Sequence, residues 1–440
     1  MIPARSLYPA RTWARARTSE AREMDDKPPR NLKAMLAEAK DLSELMVDLA
    51  YAALFFGDAR MAEEVSDVDE RLRDLVHEMR EVCVLAARSP RDAERMSSVL
   101  HVVSAIERMS NAAVDVSRIV THQLGIPAAL VADLAAAEEI SHRVRVRDGS
   151  ELAGRLLAEL ELPVQVGMRV VAMRRDRDWV VDPHGDALVQ PEDVLILRGP
   201  AEGVADLRRL AGAPEWHPPS TGADPTITDL DRAVDVLVEM KNVSEVAVGL
   251  AYSALLFNDQ TLAAEVSHLE DRLDEMRERL EVWVLRSAAD EIDPSTLRGL
   301  LHLGAAAEEV GDAAQQMVWP VEEGEEMHPI LAMALGEADE VIARVPIAAG
   351  AALDGRTLRE ARLEMEPGFS LLAIRRAGRY VYRPRGHEQL LAGDVLIASG
   401  PDEGQARLAA LCGYRFDEDD ETGEIQLVPS GAPGAPPSAP

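Results

Sequence analysis

KDLSELMVDLAYAALFFGDARMA, residues 40–62, decides how this chain is read, because it occurs twice. It returns as KNVSEVAVGLAYSALLFNDQTLA, residues 241–263, with Tyr51 falling on Tyr252 and Phe56 on Phe257. The same offset of 201 residues carries His101 to His302, Glu107 to Glu308 and Gly154 to Gly355, and sets Gly199-Pro200 on Gly400-Pro401. A gapless register over that length marks a tandem duplication. The period is several times that of a solenoid repeat, and each copy is long enough for one or two domains. A reading of one half must therefore serve the other.

Outward from that stretch, residues 31–57 carry apolar side chains at helical spacing: Leu42, Leu45, Met46, Leu49, Ala53 and Phe56. Gly57-Asp58 interrupts the pattern, as Asn258-Asp259 does in the second copy. A second helix is predicted over 59–88, with Val65, Val68, Leu72, Leu75, Met79 and Val82 as its stripe and Ser89-Pro90 as its stop. A third runs over 92–124 and ends at Gly125; Pro127 opens a short fourth over 128–139. Three long antiparallel helices and a short one predict an up-down bundle. From Arg143 the period changes. Strands are predicted at 143–146, 169–175, 179–182 and 193–198, with a short helix over 150–160 capped by Ser150 and a last helix over 201–210. The order β-α-β-β-β-α predicts a small α+β domain. The fold class is α+β: two copies of an antiparallel α-helical bundle followed by a small β-α-β-β-β-α domain. The expected divisions are a disordered extension over 1–29, bundles over 30–141 and 226–342, and α+β domains over 142–212 and 343–413. A Pro-rich linker spans 213–225, and 414–440 reads as a disordered acidic, Pro-rich tail.

Composition narrows the function. The chain has 440 residues, 47% of them hydrophobic but only 4% aromatic, so its cores must be aliphatic. A formal net charge of −31 repels nucleic acid and anionic lipid headgroups, so neither is an expected partner. No apolar run approaches the roughly 20 residues that span a bilayer, so direct membrane insertion is not expected. Residues 1–23 are Arg-rich without an apolar segment, unlike a secretory signal, and Met24 reads as an ordinary start. The two cysteines, Cys83 and Cys412, are unrelated by the repeat offset, which argues against a shared disulfide or zinc site. Cys83 lies on an apolar helical face and reads as core.

Two family resemblances follow from these residues. EEVSDVDERLRDL (63–75) and IERMSNAAVDVSRIV (106–120) resemble the second- and third-helix patterns of the PhoU-like family. The α+β module resembles the TrkA C-terminal domain, also called RCK-C. It does so through Ser150-Glu151-Leu152-Ala153-Gly154, Gly167, residues 170–174, residues 191–196 and Gly199-Pro200. The second copy matches through residues 353–358, Gly368, residues 371–375, residues 393–397 and Gly400-Pro401. The combined order resembles archaeal and bacterial PhoU–TrkA-C fusion proteins, here doubled. The resemblance implies regulation rather than catalysis: a cytoplasmic, non-enzymatic subunit of a cation transport system, with potassium foremost. It implies a membrane cation channel or transporter as partner, peripheral membrane association through it, and a homo-oligomer. A cyclic dinucleotide or a metal ion would be the ligand. Its alternatives are a PhoU-type regulator of phosphate uptake and a metal-binding helical bundle.

A functional residue set should recur in both copies. No GxGxxG or GxxxxGK[ST] occurs, so a nucleotide held in that way is not expected. No Ser/His/Asp or Cys/His set repeats, which leaves nucleophilic catalysis without a candidate. For metal, Glu308 and Asp312 stand at i, i+4 on the third helix of the second copy. The first copy keeps Glu107 but has Asn111 as its partner. On the preceding helix Glu63 and Asp67 are the candidates, and His268 replaces Asp67 in the second copy. The bland reading of each acid pair is a solvated face. The repeated His101 and His302 read as structural. For an anion, the loop containing Arg383, Arg385 and His387 is basic where its counterpart has Asp182 and Asp186, so the second module is the better host. Two modules on one chain sit at high effective concentration, so the halves are expected to pair, and a first-half fragment, 24–213, is expected to dimerise.

Overall fold

The computed structural model describes residues 31–134, 139–176, 178–216, 228–288, 293–325, 327–336, 338–418 and 425–430. The predicted extension over 1–29, most of the linker and the end of the tail lie outside them. The first bundle is α1 (Leu32–Phe56), α2 (Ala59–Ala86) and α3 (Pro90–Thr121), and α4 (Ala128–Leu134) follows. The second is α8 (Asp229–Phe257), α9 (Gln260–Ser287) and α10 (Pro294–Glu322), with α11 (Pro329–Leu335) after it. The turn chemistry sets the ends. Gly57 takes the left-handed conformation that closes α1, and Asp58 caps α2 by accepting from Arg60 and Met61. Asn258 and Asp259 repeat the pair.

The first module is β1 (Glu139–Arg145), α5 (Leu157–Leu160), α6 (Leu162–Val166), β2 (Arg169–Arg175), β3 (Asp178–Val181), β4 (Val194–Pro200) and α7 (Val204–Leu210). The second has β5 (Glu340–Pro346), α12 (Leu358–Ala361), β6 (Ser370–Arg376), β7 (Arg379–Tyr382), β8 (Val395–Pro401) and α13 (Gln405–Leu411). Both sheets are antiparallel with equivalent strand orders, β1-β4-β2-β3 and β5-β8-β6-β7. Each carries a bulge at the same place, Val170/Ala172 and Leu371/Ala373. One sheet face joins the bundle core through Val171, Ala172, Val194 and Ile196, and through Leu372, Ala373 and Ile397. The other face builds a separate small core under its own helices. Both cysteines are buried, Cys83 as its apolar helical face predicts.

Three local expectations give way. Ser150 caps no helix: its hydroxyl is buried without a hydrogen-bond partner, residues 149–154 form turns, and the helix starts only at Leu157. The second copy has a true capping box at this place, Thr357 with Glu360, where the first has Leu156. The tail is also partly structured, since β9 (Tyr414–Glu418) pairs antiparallel with β10 (Ile425–Pro429). Alternation around Phe416 and Leu427 supports that hairpin, with Leu427 packed against the second small core. Finally, the short fourth helices reach across to the other half: α4 packs on α8, and α11 packs on α1 as well as on α8 of its own bundle.

The halves meet along α3 and α10. Arg108 and Glu309 occupy the same place in the two copies, and they pair with each other at 2.7 Å, Arg108 also reaching Asp312 at 2.5 Å. The modules meet the same way. A Cβ on Gly167 would lie 2.3 Å from the carbonyl of Glu364, and one on Gly368 would lie 2.4 Å from that of Pro163, both glycines having positive φ. These residues also exchange at the offset of 201, so the contacts are reciprocal about a pseudo-twofold axis.

Two outcomes follow. Arg108→Glu lowers unfolding stability by about 1 kcal/mol, and adding Glu309→Arg restores part of it, a coupling that denaturant melts of the single and double variants measure. Gly167→Ala lowers the melting temperature more than Gly154→Ala in calorimetry, because both positions have positive φ but only Gly167 faces another backbone.

Candidate functional site

Where the four domains converge they border a partly open chamber of about 660 Å³. Its floor is built by the repeated stretches 40–62 and 241–263. Glu44, Asp48 and Tyr51 fall on one face of α1 at helical spacing, and Ser244, Glu245 and Val248 do so on α8. The walls come from the sheets, through Arg169 and Arg198 in the first module and Ser370 and Ser399 in the second. Gly167 and Gly368, which make the contacts between modules, line it as well.

A charge network crosses the floor from half to half. Arg198 contacts Asp48 of its own half and Glu245 of the other at 3.1 Å. Arg169 reaches Glu340 at 3.3 Å and Asp339 at 3.9 Å, both in the other half. Lys40 pairs with Glu44 at 2.7 Å and Lys241 with Glu245 at 2.8 Å. The two lysines cross over: Lys40 lies 5.3 Å from the ring of Tyr252, and Lys241 lies 5.6 Å from that of Tyr51. Burial dominates the carboxylates. It lifts Asp48 to about 7 against the pull of Arg198 and Arg169, and lifts Asp41 to about 7 against Lys40. It raises Glu44 as well. Burial pulls Lys40 down, but Glu44, Glu340 and Asp41 more than offset it, and the ammonium stays charged.

The copies are not equivalent here. Asp48, Arg169 and Arg198 have Gly249, Ser370 and Ser399 as counterparts, so a charged triad exists on one side only. Leu372 packs over Gly249, where a side chain would collide with it. The sequence reading missed this site, although a signal was available. Lys40 and Glu44 recur as Lys241 and Glu245 inside the most apolar helices, and the three changes to Gly, Ser and Ser occur together.

The expected metal candidates sit elsewhere, each held by an arginine. Glu107 binds Arg80 at 2.5 Å, Glu308 binds Arg277 at 2.8 Å, and Asp312 takes Arg108 from the other half. The acids facing Glu308 and Asp312 are Glu270 and Asp274, not counterparts of Glu63 and Asp67. Burial, then Asp274 and Asp312, lift Glu270 to about 7. The first copy has Asp69 and Arg73 there, paired with each other. Among the described residues no group of three or more His, Cys, Asp or Glu is placed to hold a metal ion. His101 packs against Trp319, with ring centroids 5.3 Å apart, and His302 lies within 3.4 Å of Arg298. In the anion-loop candidate, Arg383 is engaged by Glu239 at 2.8 Å, and neither Arg385 nor His387 lines the chamber. The first module's loop does, through Asp182 and His184.

A chamber shared by two copies of a helical bundle and two copies of a small sheet domain defines a tandem-duplicated, two-module protein. Family comparison gives its parts: the chain carries two PhoU domains, at 36–120 and 237–318, and two TrkA-C domains, at 142–212 and 342–413. Both are regulatory, non-catalytic families. Similar solved structures include PhoU from Pseudomonas aeruginosa, 14% identical over 70% of this chain and 99% of that one, with a TM-score of 0.36. Another is the phosphate transport system regulatory protein PhoU from Streptococcus pneumoniae, 12% identical over 71% and 99%, TM-score 0.35. The GsuK RCK domain is 16% identical over 69% and 78%, TM-score 0.17. No curated protein matches the chain. Among the described residues no helix is long and apolar enough to cross a membrane.

The raised carboxyls set a pH dependence. Asp48 ionises near its ordinary 3.8 in the unfolded chain and near 7 in the folded one, so the folded state holds the extra proton between those values. Stability then falls as pH rises through that window, and Asp41 acts in the same direction. The melting temperature is expected to drop between about pH 5 and about pH 8. Asp48→Asn, which cannot ionise, is expected to make the drop smaller; an unchanged drop would refute the assignment.

Proposed function

We propose that this chain is a non-enzymatic, cytoplasmic regulatory subunit of a cation transport system, with potassium as the cation, and that it senses a small ligand or ion. The observation that carries the reading is the chamber, whose lining comes from both bundles and both TrkA-C domains. An occupant that prefers one arrangement of the four domains shifts the chain toward it, and a membrane partner bound to the modules receives that shift. The TrkA-C pair favours a cation transporter as that partner. The PhoU pair keeps phosphate uptake as the competing reading.

The test is affinity capture of the tagged full chain from detergent-solubilised native membranes, with mass spectrometry of what co-purifies. A cation channel or exchanger is the expected partner. Recovery of a phosphate transporter instead would transfer the reading to phosphate control.

A further inference from the structure

The chamber's walls are strongly biased in charge. Ten carboxyl groups line it against two guanidinium groups, and Lys40 and Lys241, outside the lining, pair with Glu44 and Glu245. Both guanidiniums are already engaged, Arg198 by Asp48 and Glu245 and Arg169 by Glu340 and Asp339. At the rim, Glu161 and Glu403 are exposed, and among the described residues no ion pair engages either. An anion such as a cyclic dinucleotide would enter against this field, whereas a cation is drawn in by it.

Size and donor arrangement narrow the cation. About 660 Å³ lies within the range of small-molecule pockets, about 300–1,000 Å³, and far exceeds one dehydrated ion. Among the described residues the acids do not gather into a metal-holding group of three or more. Val47, Leu157, Leu162, Val248 and Leu371 share the lining with them. That mixture of acids and aliphatic side chains suits a flexible chain of methylenes with positive charges at intervals. Tyr51 is an independent pointer. It lines the chamber, is only 9% exposed, and its hydroxyl makes no hydrogen bond among the described residues. The hydroxyl is not among the fully buried polar atoms, so a ligand in the chamber can reach it, and an ammonium group can donate to the phenol oxygen.

We propose that the chamber binds an aliphatic oligoamine, a small molecule with two or more ammonium groups, one per chain. The assignment rests on the regulatory reading above and names the ligand class for that site. The single occupant follows from the asymmetry of the floor, where Asp48, Arg169 and Arg198 lack charged counterparts. The ammonium groups pair with wall and rim carboxylates, and the methylenes lie against the aliphatic side chains.

Isothermal titration calorimetry on the full chain tests it, with spermidine, MgCl₂ and cyclic di-AMP as separate probes. Spermidine is expected to bind one to one, and more weakly as salt is raised. Tyr51→Phe and the double variant Glu161→Gln/Glu403→Gln are each expected to weaken spermidine about tenfold. Their ligand-free melting temperatures stay at the parent value, since the groups removed have no partner. Four results would overturn the proposal: no binding of spermidine, unchanged affinity in both variants, binding of cyclic di-AMP in its place, or MgCl₂ binding equally well and displacing it. The last would make the occupant a hydrated divalent ion. If membrane capture recovers a transporter but spermidine fails, the ligand assignment falls alone. If spermidine binds and no transporter is captured, the regulatory reading falls instead.

Discussion

The structure depends on one constraint: the two halves of the chain must face each other about a pseudo-twofold axis. The contacts that enforce it are exchanged between equivalent residues. Gly167 meets Glu364 as Gly368 meets Pro163, and Lys40 meets Tyr252 as Lys241 meets Tyr51. Ser98 accepts from the backbone of His328, and Gly299, the counterpart of Ser98, lies against Gly125. The exchange of α4 and α11 makes the arrangement mutual, because each bundle then depends on a helix from the other half. Covalent linkage raises the effective concentration of one half near the other, so modest contacts suffice to hold the pair. At Arg108 and Glu309 the duplication has gone further. Opposite charges stand at one equivalent position, whereas two first halves placed in the same way would set Arg108 against Arg108. The divergence favours partners within one chain over like halves of two chains.

The same divergence shapes the chamber. Symmetric copies would have placed two charged triads around it. Instead one side keeps Asp48, Arg169 and Arg198, while the other has Gly249, Ser370 and Ser399, with Leu372 filling the space over Gly249. Arg198 then has to serve carboxylates of both halves, and Arg169 reaches across to Glu340 and Asp339. Buried ion pairs of this kind add little net stability, since desolvation offsets much of the Coulomb gain. They do fix which groups face which. A displaced half would leave buried charges without partners, and that penalty is steep.

Much of the fold was legible in the sequence. The offset of 201, the helix ends at Gly57 and Asn258, the stop at Ser89-Pro90 and the strands from 169 to 198 are local signals, and each depends on backbone preferences within a few residues. What escaped was non-local. Nothing near Ala128 or Pro329 says that the following helix packs on the other half, because an amphipathic helix records that it has an apolar face but not whose surface covers it. Ser150 looked like a cap because its residue type suits one, yet tertiary packing buried it in a turn. The acids and arginines of the candidate site come from α1, α8 and strands some hundred residues away in sequence, so spacing along the chain could not assemble them. The i, i+4 acids on α10 were visible, but the arginines that occupy them, Arg277 and Arg108, come from other helices.

On the proposed reading, the chamber's charge balance is what would couple an occupant to the arrangement of the halves. Burial lifts Asp48 to about 7, so near neutral pH it carries a proton part of the time, and either state has a cost. Ionised, the carboxyl lacks full solvation; protonated, Asp48 gives up part of its attraction to Arg198. A bound cation removes that dilemma by stabilising the ionised form, but only in the arrangement where α1, α8 and both sheets bring their acids to the same cavity. In any arrangement that separates them the cation has fewer partners and binds less well. That difference in affinity is what can shift the equilibrium between arrangements, and coupling of this kind is typically about 1–3 kcal/mol. An occupant that met the acids of one half alone would bind both arrangements equally and shift nothing, however tight its binding.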